Sequence, residues 1–313
     1  MKPYYVNVSA VQDFMQCRFR FWCKWVMNRV ERNEAPALAA GRAIHHIFEK
    51  HHTENMSLAD SSIVIRQQWR ELLDTETDER EKAQGEKALK VLDDIGEGWS
   101  LWKDKYPFEI PVLEVEQAGE ITFKELPGVV FRLRPDRVGV SSKLLWHVQN
   151  RGLAAGTNFG IYIATAKRHY HEHLYAEHLA IKYPKYKYGG TMFNLLRKLK
   201  YRTKVTKANP LGETKTADEL FFQHPMSINL KSGLHKHVML SLFQHVRDMM
   251  KVMEDWEKHE IIPPPNEKLN AGAFGNVVDP YFRVLIGEIT LDDETVFKDR
   301  EETYAPSDSL TGD

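Results

Sequence analysis

The spacing of apolar residues divides the chain into stretches of different period. From Ser9 to Val30, SAVQDFMQCRFRFWCKWVMNRV, the pattern predicts one long helix. Phe14, Phe21, Trp22 and Trp25 give it a heavy apolar surface, and Ser9 with Gln12 fits a capping box. A second helix is predicted over about Leu38 to His52, containing GRAIHHIFEKHH. Two or three more follow between Leu58 and Lys105, with a weak spot at Asp93 to Gly98, where Gly96 and Gly98 disfavour helix.

At Pro111 the period drops to two, with β-branched residues and Gly, Pro and Ser as punctuation. Strands are predicted at about Val112–Gln117, Glu120–Phe123, Val129–Gly139 and Leu144–Gln149, the last after a Ser141-Ser142-Lys143 turn. A helix over about Ile161 to Lys182 comes next, then a strand from Thr191 to Leu199. TKANPLGETKTADE reads as a loop, and Leu234 to His259 as the last long helix. After PPPNEK the pattern is irregular, with a short strand expected around Phe282 to Ile289. This order predicts an α/β (α+β) fold, a central mixed sheet flanked by helices with large helical additions at both ends. Its expected parts are a helical part over 1–110, a sheet core over 111–205, a helical C-terminal part over 206–290 and a flexible acidic tail over 291–313.

Composition adds three points. The 313 residues are 42% hydrophobic, enough for a large core, yet no apolar run approaches a membrane span, so no membrane partner is expected. The start, MKPYYVNVSA, lacks the apolar stretch of a signal peptide, and Cys17 and Cys23 point to different parts of one predicted helix. A reducing cytoplasm is therefore expected, with no disulfide. The net charge of −1 hides a basic run and an acidic end. From His178 to Gly212 there are nine Lys or Arg and no Asp or Glu, interleaved with Tyr183, Tyr186, Tyr188, Phe193 and Tyr201. A charge run is commonly solvated surface, but this mix also suits phosphates and bases, which makes nucleic acid a candidate partner.

The candidate chemistry lies in four pieces. Gly41-x-x-x-His45 sits on an early helix, behind a first helix with Ser9 and Cys17. Arg134-Pro135-Asp136 falls in a predicted strand. KLLWHVQNRG, Lys143 to Gly152, alternates so that Leu144, Trp146 and Val148 share one face while Leu145, His147, Gln149 and Arg151 share the other. His171-x-x-x-Tyr175 lies on the next helix. His169, His171, His173 and His178 have no recognised metal-ligand spacing, so zinc is not expected there.

This order resembles the RecB-like branch of the PD-(D/E)XK nuclease superfamily, which includes the RecB and AddB nuclease domains and the CRISPR-adaptation exonucleases. The resemblance covers most of residues 8–200. It implies a restriction-endonuclease-like core, with His45 and Asp136 at the metal-binding His and Asp and Glu116 at a frequent strand Glu. Tyr175 stands at the helix tyrosine. The second carboxylate of the family is His147 here, its lysine is Gln149, and its helix glutamine is His171. The family's C-terminal C-P-Y-x-x-x-C aligns with Asp279-Pro280-Tyr281-Phe282-Arg283-Val284-Leu285, where neither cysteine remains, so no iron–sulfur cluster is expected.

The resemblance implies a divalent-metal-dependent nuclease acting on DNA ends or single strands, in a bacterial or phage-infected cytoplasm. His45, Asp136 and His147 are the expected ligands, a set favouring Mn²⁺ over Mg²⁺ if His147 ligates. Asp136, His147, Gln149 and Arg151 are the candidate catalytic residues, Arg151 replacing the absent lysine charge. Glu116, His171 and Tyr175 are expected to support them. Arg197, Lys198, Lys200, Arg202 and Lys204 are the expected nucleic-acid contacts. The alternative is an inactive pseudonuclease that binds nucleic acid or a protein partner.

Overall fold

The computed structural model describes residues 3–31, 36–102, 110–202, 212–264, 280–285, 287–294 and 296–299. Lys204, Lys207 and the tail from 300 onward lie outside them. The chain forms two compact units, neither a single stretch of sequence. One comprises Glu34–Gln117 and Arg134–His235; the other comprises Met1–Asn33, Ala118–Leu133 and Lys236–Asp313.

The first unit is built on a five-stranded sheet in the order Val112–Val115, Arg137–Ser141, Leu144–Leu153, Lys187–Arg197, Phe221–Met226. Leu144–Leu153 and Lys187–Arg197 run parallel, and the other neighbours are antiparallel. The parallel pair needs a crossover, supplied by the helices Phe159–Ala166 and Tyr170–Lys182. Apolar residues of these helices pack with Leu145, Phe193 and Leu195. Alternation sends Leu196 and Phe221 into another core, with Ile44, Ile47 and Phe48 of the helix Pro36–Thr53 and Leu92, Ile95, Trp99 and Trp102. The sheet thus has helices against both faces, a mixed α/β arrangement consistent with the PD-(D/E)XK nuclease fold.

The second unit holds a three-stranded sheet in the order Tyr4–Val6, Val129–Leu133, Gly119–Thr122. It also holds an antiparallel pair of Arg29–Glu31 with Phe297–Asp299 and most of the helix Gly233–His259. Cys17, Phe19, Trp22, Cys23, Tyr281 and Phe297 form one buried cluster in it, and neither cysteine is in a disulfide. Among the described residues no helix is long and apolar enough to cross a membrane.

Several predicted elements differ. The long N-terminal helix is Val8–Gln16 followed by the short turn of helix Arg18–Phe21. Asn7, not Ser9, is its cap, accepting from the Ala10 N–H at 2.8 Å. Cys17 adopts extended backbone, and its Sγ accepts from the Arg20 N–H, restarting the helix. The predicted strand Val129–Gly139 is two strands belonging to different sheets. Pro135 explains the break: it has no N–H for a ladder and restricts the residue before it. Asp136 therefore stands just ahead of a strand, not inside one. The helix predicted over Ile161–Lys182 is interrupted at Lys167–His169. Phe221–Met226 is a strand that the sequence did not announce, and Pro280–Leu285 is helix where a strand was expected.

Candidate metal centre

His45 lies on the helix Pro36–Thr53, which approaches the central strand Leu144–Leu153 closely at Gly152. A Cβ at Gly152 would stand 2.8 Å from Ile44 Cδ1, so the glycine leaves room for that side chain against the strand. Asp136 precedes the strand Arg137–Ser141, and its Oδ2 accepts the Asn150 N–H at 2.8 Å, just beyond the Arg137–Val148 pair. Glu116 follows the strand Val112–Val115 with φ at +49°, and its N–H donates to the Asp136 carbonyl at 3.1 Å. These backbone ties set three side chains against one another. One donor atom from each of His45, Glu116 and Asp136 lies within 4.8 Å of the others, and His45 Nδ1 is 3.5 Å from Asp136 Oδ2.

The electrostatics of this trio fit a cation. Burial, then the charge of Asp136, pushes the Glu116 carboxyl up to about 8, against the pull of Arg134 at 2.9 Å. Burial also lowers the pKa of His45, which favours the neutral imidazole, while Asp136 opposes the shift. Two crowded carboxylates and a free imidazole form a donor set for a divalent ion, and one ion would relieve the repulsion between the acids.

His147 falls outside this group. It is fully buried, and neither ring nitrogen has a hydrogen-bond partner. Its Nδ1 lies 3.8 Å from Glu172 Oε2, its ring centroid lies 4.3 Å from that of Tyr175, and burial lowers its pKa to about 4. Gln149 is buried and hydrogen-bonds Glu172. Arg151 hydrogen-bonds the Tyr162 hydroxyl. Burial opposes its charge, but Asp136, Tyr162, Tyr175 and Glu172 outweigh this and raise its pKa. Burial and then Arg151 depress His171 to about 3, and the Tyr175 hydroxyl donates to the Arg134 carbonyl at 3.0 Å, bracing the loop that carries Asp136.

Two features escaped the sequence reading. Glu172 is fully buried, accepts from Thr191 Oγ1 at 2.6 Å, and is pushed up to about 7 by burial. Its spacing of three from Tyr175 on one helix was the available signal. A buried amide ladder crosses three strands: Asn194 Nδ2 donates to Asn150 Oδ1, and Gln223 Nε2 donates to Asn194 Oδ1, both at 3.0 Å.

The basic run does not form a single free patch. Lys182 pairs with Glu114, Lys200 lies 3.8 Å from Asp94, and Arg202 lies 3.1 Å from Glu97. Arg197 donates to the carbonyls of Thr157 and Glu219 and lies over the Phe159 ring. Lys198 is half-buried, and burial lowers its pKa.

The family model of the PD-(D/E)XK nuclease superfamily matches residues 5–146. That stretch takes in His45, Glu116 and Asp136 and ends one residue before His147. Members of this superfamily are usually nucleases and use divalent metals. No curated protein matches the chain.

Proposed function

We propose that the chain is a divalent-metal-dependent nuclease of RecB-like type, hydrolysing phosphodiester bonds at DNA ends or in single strands. The observation that carries the reading is the convergence of His45, Glu116 and Asp136 within 4.8 Å at the strand ends beside the central strand. These three residues would hold the ion. Once bound, it supplies Lewis-acid stabilisation of charge on phosphoryl oxygens and makes a nearby water more acidic. The imidazole beside the two carboxylates suits Mn²⁺ better than an all-oxygen site would. Arg151, held by Tyr162 and surrounded by acids, brings a fixed positive charge to offset charge developing on the phosphate. Gln149 is engaged by Glu172 and has no charge to give.

The test is cleavage of end-labelled single- and double-stranded DNA with Mn²⁺ or Mg²⁺. Cleavage faster with Mn²⁺, and abolished in Asp136→Ala, is the expected outcome. No cleavage with any divalent ion removes the nuclease reading. The second reading, a pseudonuclease that binds without cutting, is favoured by the burial of His147 and Gln149 where the resemblance calls for an acid and a lysine. It becomes the better one if the protein binds DNA under the same conditions and leaves it whole.

A further inference from the structure

The bend between the helices Phe159–Ala166 and Tyr170–Lys182 carries Lys167, Arg168 and His169. Lys167 and Arg168 are exposed and have no ion pair among the described residues. The bend itself is fixed. The Arg168 N–H donates to the Thr165 carbonyl at 3.0 Å and the His169 N–H to the Ala166 carbonyl at 3.0 Å. His173 Nε2 donates to the Lys167 carbonyl at 3.0 Å from within the buried face of the next helix. Two cations are therefore presented on a braced turn, so holding them in place costs little backbone entropy on binding.

The turn adjoins the metal centre. The His169 ring lies 6.4 Å from that of Tyr162, whose hydroxyl takes a hydrogen bond from Arg151. The ring of His171, the second residue of the helix, lies 6.3 Å from that of Tyr175, whose hydroxyl reaches the Arg134 carbonyl two residues before Asp136. Both histidines also feel the charge of Arg151. Lys167 and Arg168 are thus at the surface, while His169, His171 and Arg151 are each half-buried. The sequence-predicted alternative is compromised: Lys182, Lys200 and Arg202 are paired with Glu114, Asp94 and Glu97. Lys187 sits opposite Leu144, at the end of the central strand away from Asn150 and Asp136.

We propose that the turn Lys167–His171 binds the phosphodiester backbone of the substrate strand, with Lys167 and Arg168 contacting phosphates and leading the strand to Arg151. The proposal rests on the nuclease reading, but its test is a binding measurement that needs no cleavage. Fluorescent single-stranded DNA is titrated with the full chain in chelator, from 50 to 200 mM salt. Each phosphate contact contributes about 0.7 to the slope of log affinity against log salt on single strands. Lys167→Ala with Arg168→Ala should flatten that slope by about 1.4 and weaken binding about 25-fold at 0.1 M salt. Lys200→Ala with Arg202→Ala should leave the slope unchanged. Both pairs are exposed, and urea midpoints matching the native chain exclude a folding effect. A slope unchanged by the first pair, or lost with the second, overturns the proposal while cleavage by the native chain keeps the nuclease reading. Absence of binding by the native chain at low salt also overturns it, and the Asp136 cleavage test then decides the nuclease reading separately.

Discussion

Acid should destabilise the protein through His147, and the size of the effect follows from its burial. The side chain has no exposed surface and no hydrogen bond to either ring nitrogen. Burial lowers its pKa from 6.5 to about 4. Unfolded, the imidazole titrates near 6.5. Between these two values the unfolded chain binds a proton that the folded chain refuses. Stability follows the difference in bound protons, so this group costs nothing well above pH 6.5. Its cost grows as pH falls below that value and levels off below about 4. Integration gives a loss of about 2 kcal/mol between pH 7 and pH 5. Deeper depression of the native value barely changes the figure, because at pH 5 the folded imidazole is already neutral and the unfolded pKa sets the cost. The assay is urea unfolding followed by tryptophan fluorescence at pH 7, 6 and 5, in chelator, for the native chain and His147→Leu. His52 and His171 are also held neutral by burial, but they act in both proteins and cancel in the comparison. The variant should lose about 2 kcal/mol less than the native chain over that interval. Equal losses refute the reasoning, since they mean that His147 binds its proton as readily folded as unfolded.

Two further outcomes are expected. Gly190→Ala should cost about 3 kcal/mol, read from the urea midpoint, because φ there is +138° and a Cβ would stand 2.1 Å from the Met226 carbonyl across the paired strand. His147→Glu should cost about 4 kcal/mol at pH 8, from two carboxylates about 4 Å apart at an effective dielectric near 20, and adding Glu172→Gln should recover most of it; a single change as stable as the double one would count against the pairing.

The helix Pro36–Thr53 and the strand Leu144–Leu153 were legible, as Leu38–His52 and Leu144–Gln149, because each keeps one period. Leu58–Thr75 and Glu79–Ile95 were expected only as two or three helices, and the break between them falls at 76–78 rather than at Asp93–Gly98. What was not legible depended on partners distant in sequence. Val129–Gly139 reads as one strand by composition, although the apolar positions shift from Val129, Phe131 and Leu133 to Val138 across Pro135. That proline marks the break, but nothing local says that Leu133 and Arg137 enter different sheets. Phe221–Met226 is an edge strand with His224 and Pro225 in it, a composition that reads as loop. The Cys17 break depends on a thiol accepting an N–H, and cysteine is not a usual cap. In the site, His45 and Asp136 were legible from motif order. The place of Glu116 beside them rests on a left-handed backbone and on its N–H to the Asp136 carbonyl, neither of which a strand pattern encodes.

Glu172 gives a physical reason for the oddest residue of the sequence. An acid at position 147 would face Glu172 across about 4 Å with no solvent to screen the pair. Burial already pushes Glu172 up to about 7, so a second carboxylate there would force one of the two to hold a proton at neutral pH. A neutral imidazole fills the space without that charge, and the glutamine at 149 serves Glu172 as a hydrogen-bond partner. A lysine there would instead bury a cation already supplied by Arg151, whose charge the same acids favour. His147, Gln149, Arg151 and Glu172 are thus one electrostatic solution spread over a strand and the following helix. A change at any one of them must be judged with the other three. The trio His45, Glu116 and Asp136 stands beside that solution with its own donors, so the donor set it offers does not depend on the residues at 147 and 149.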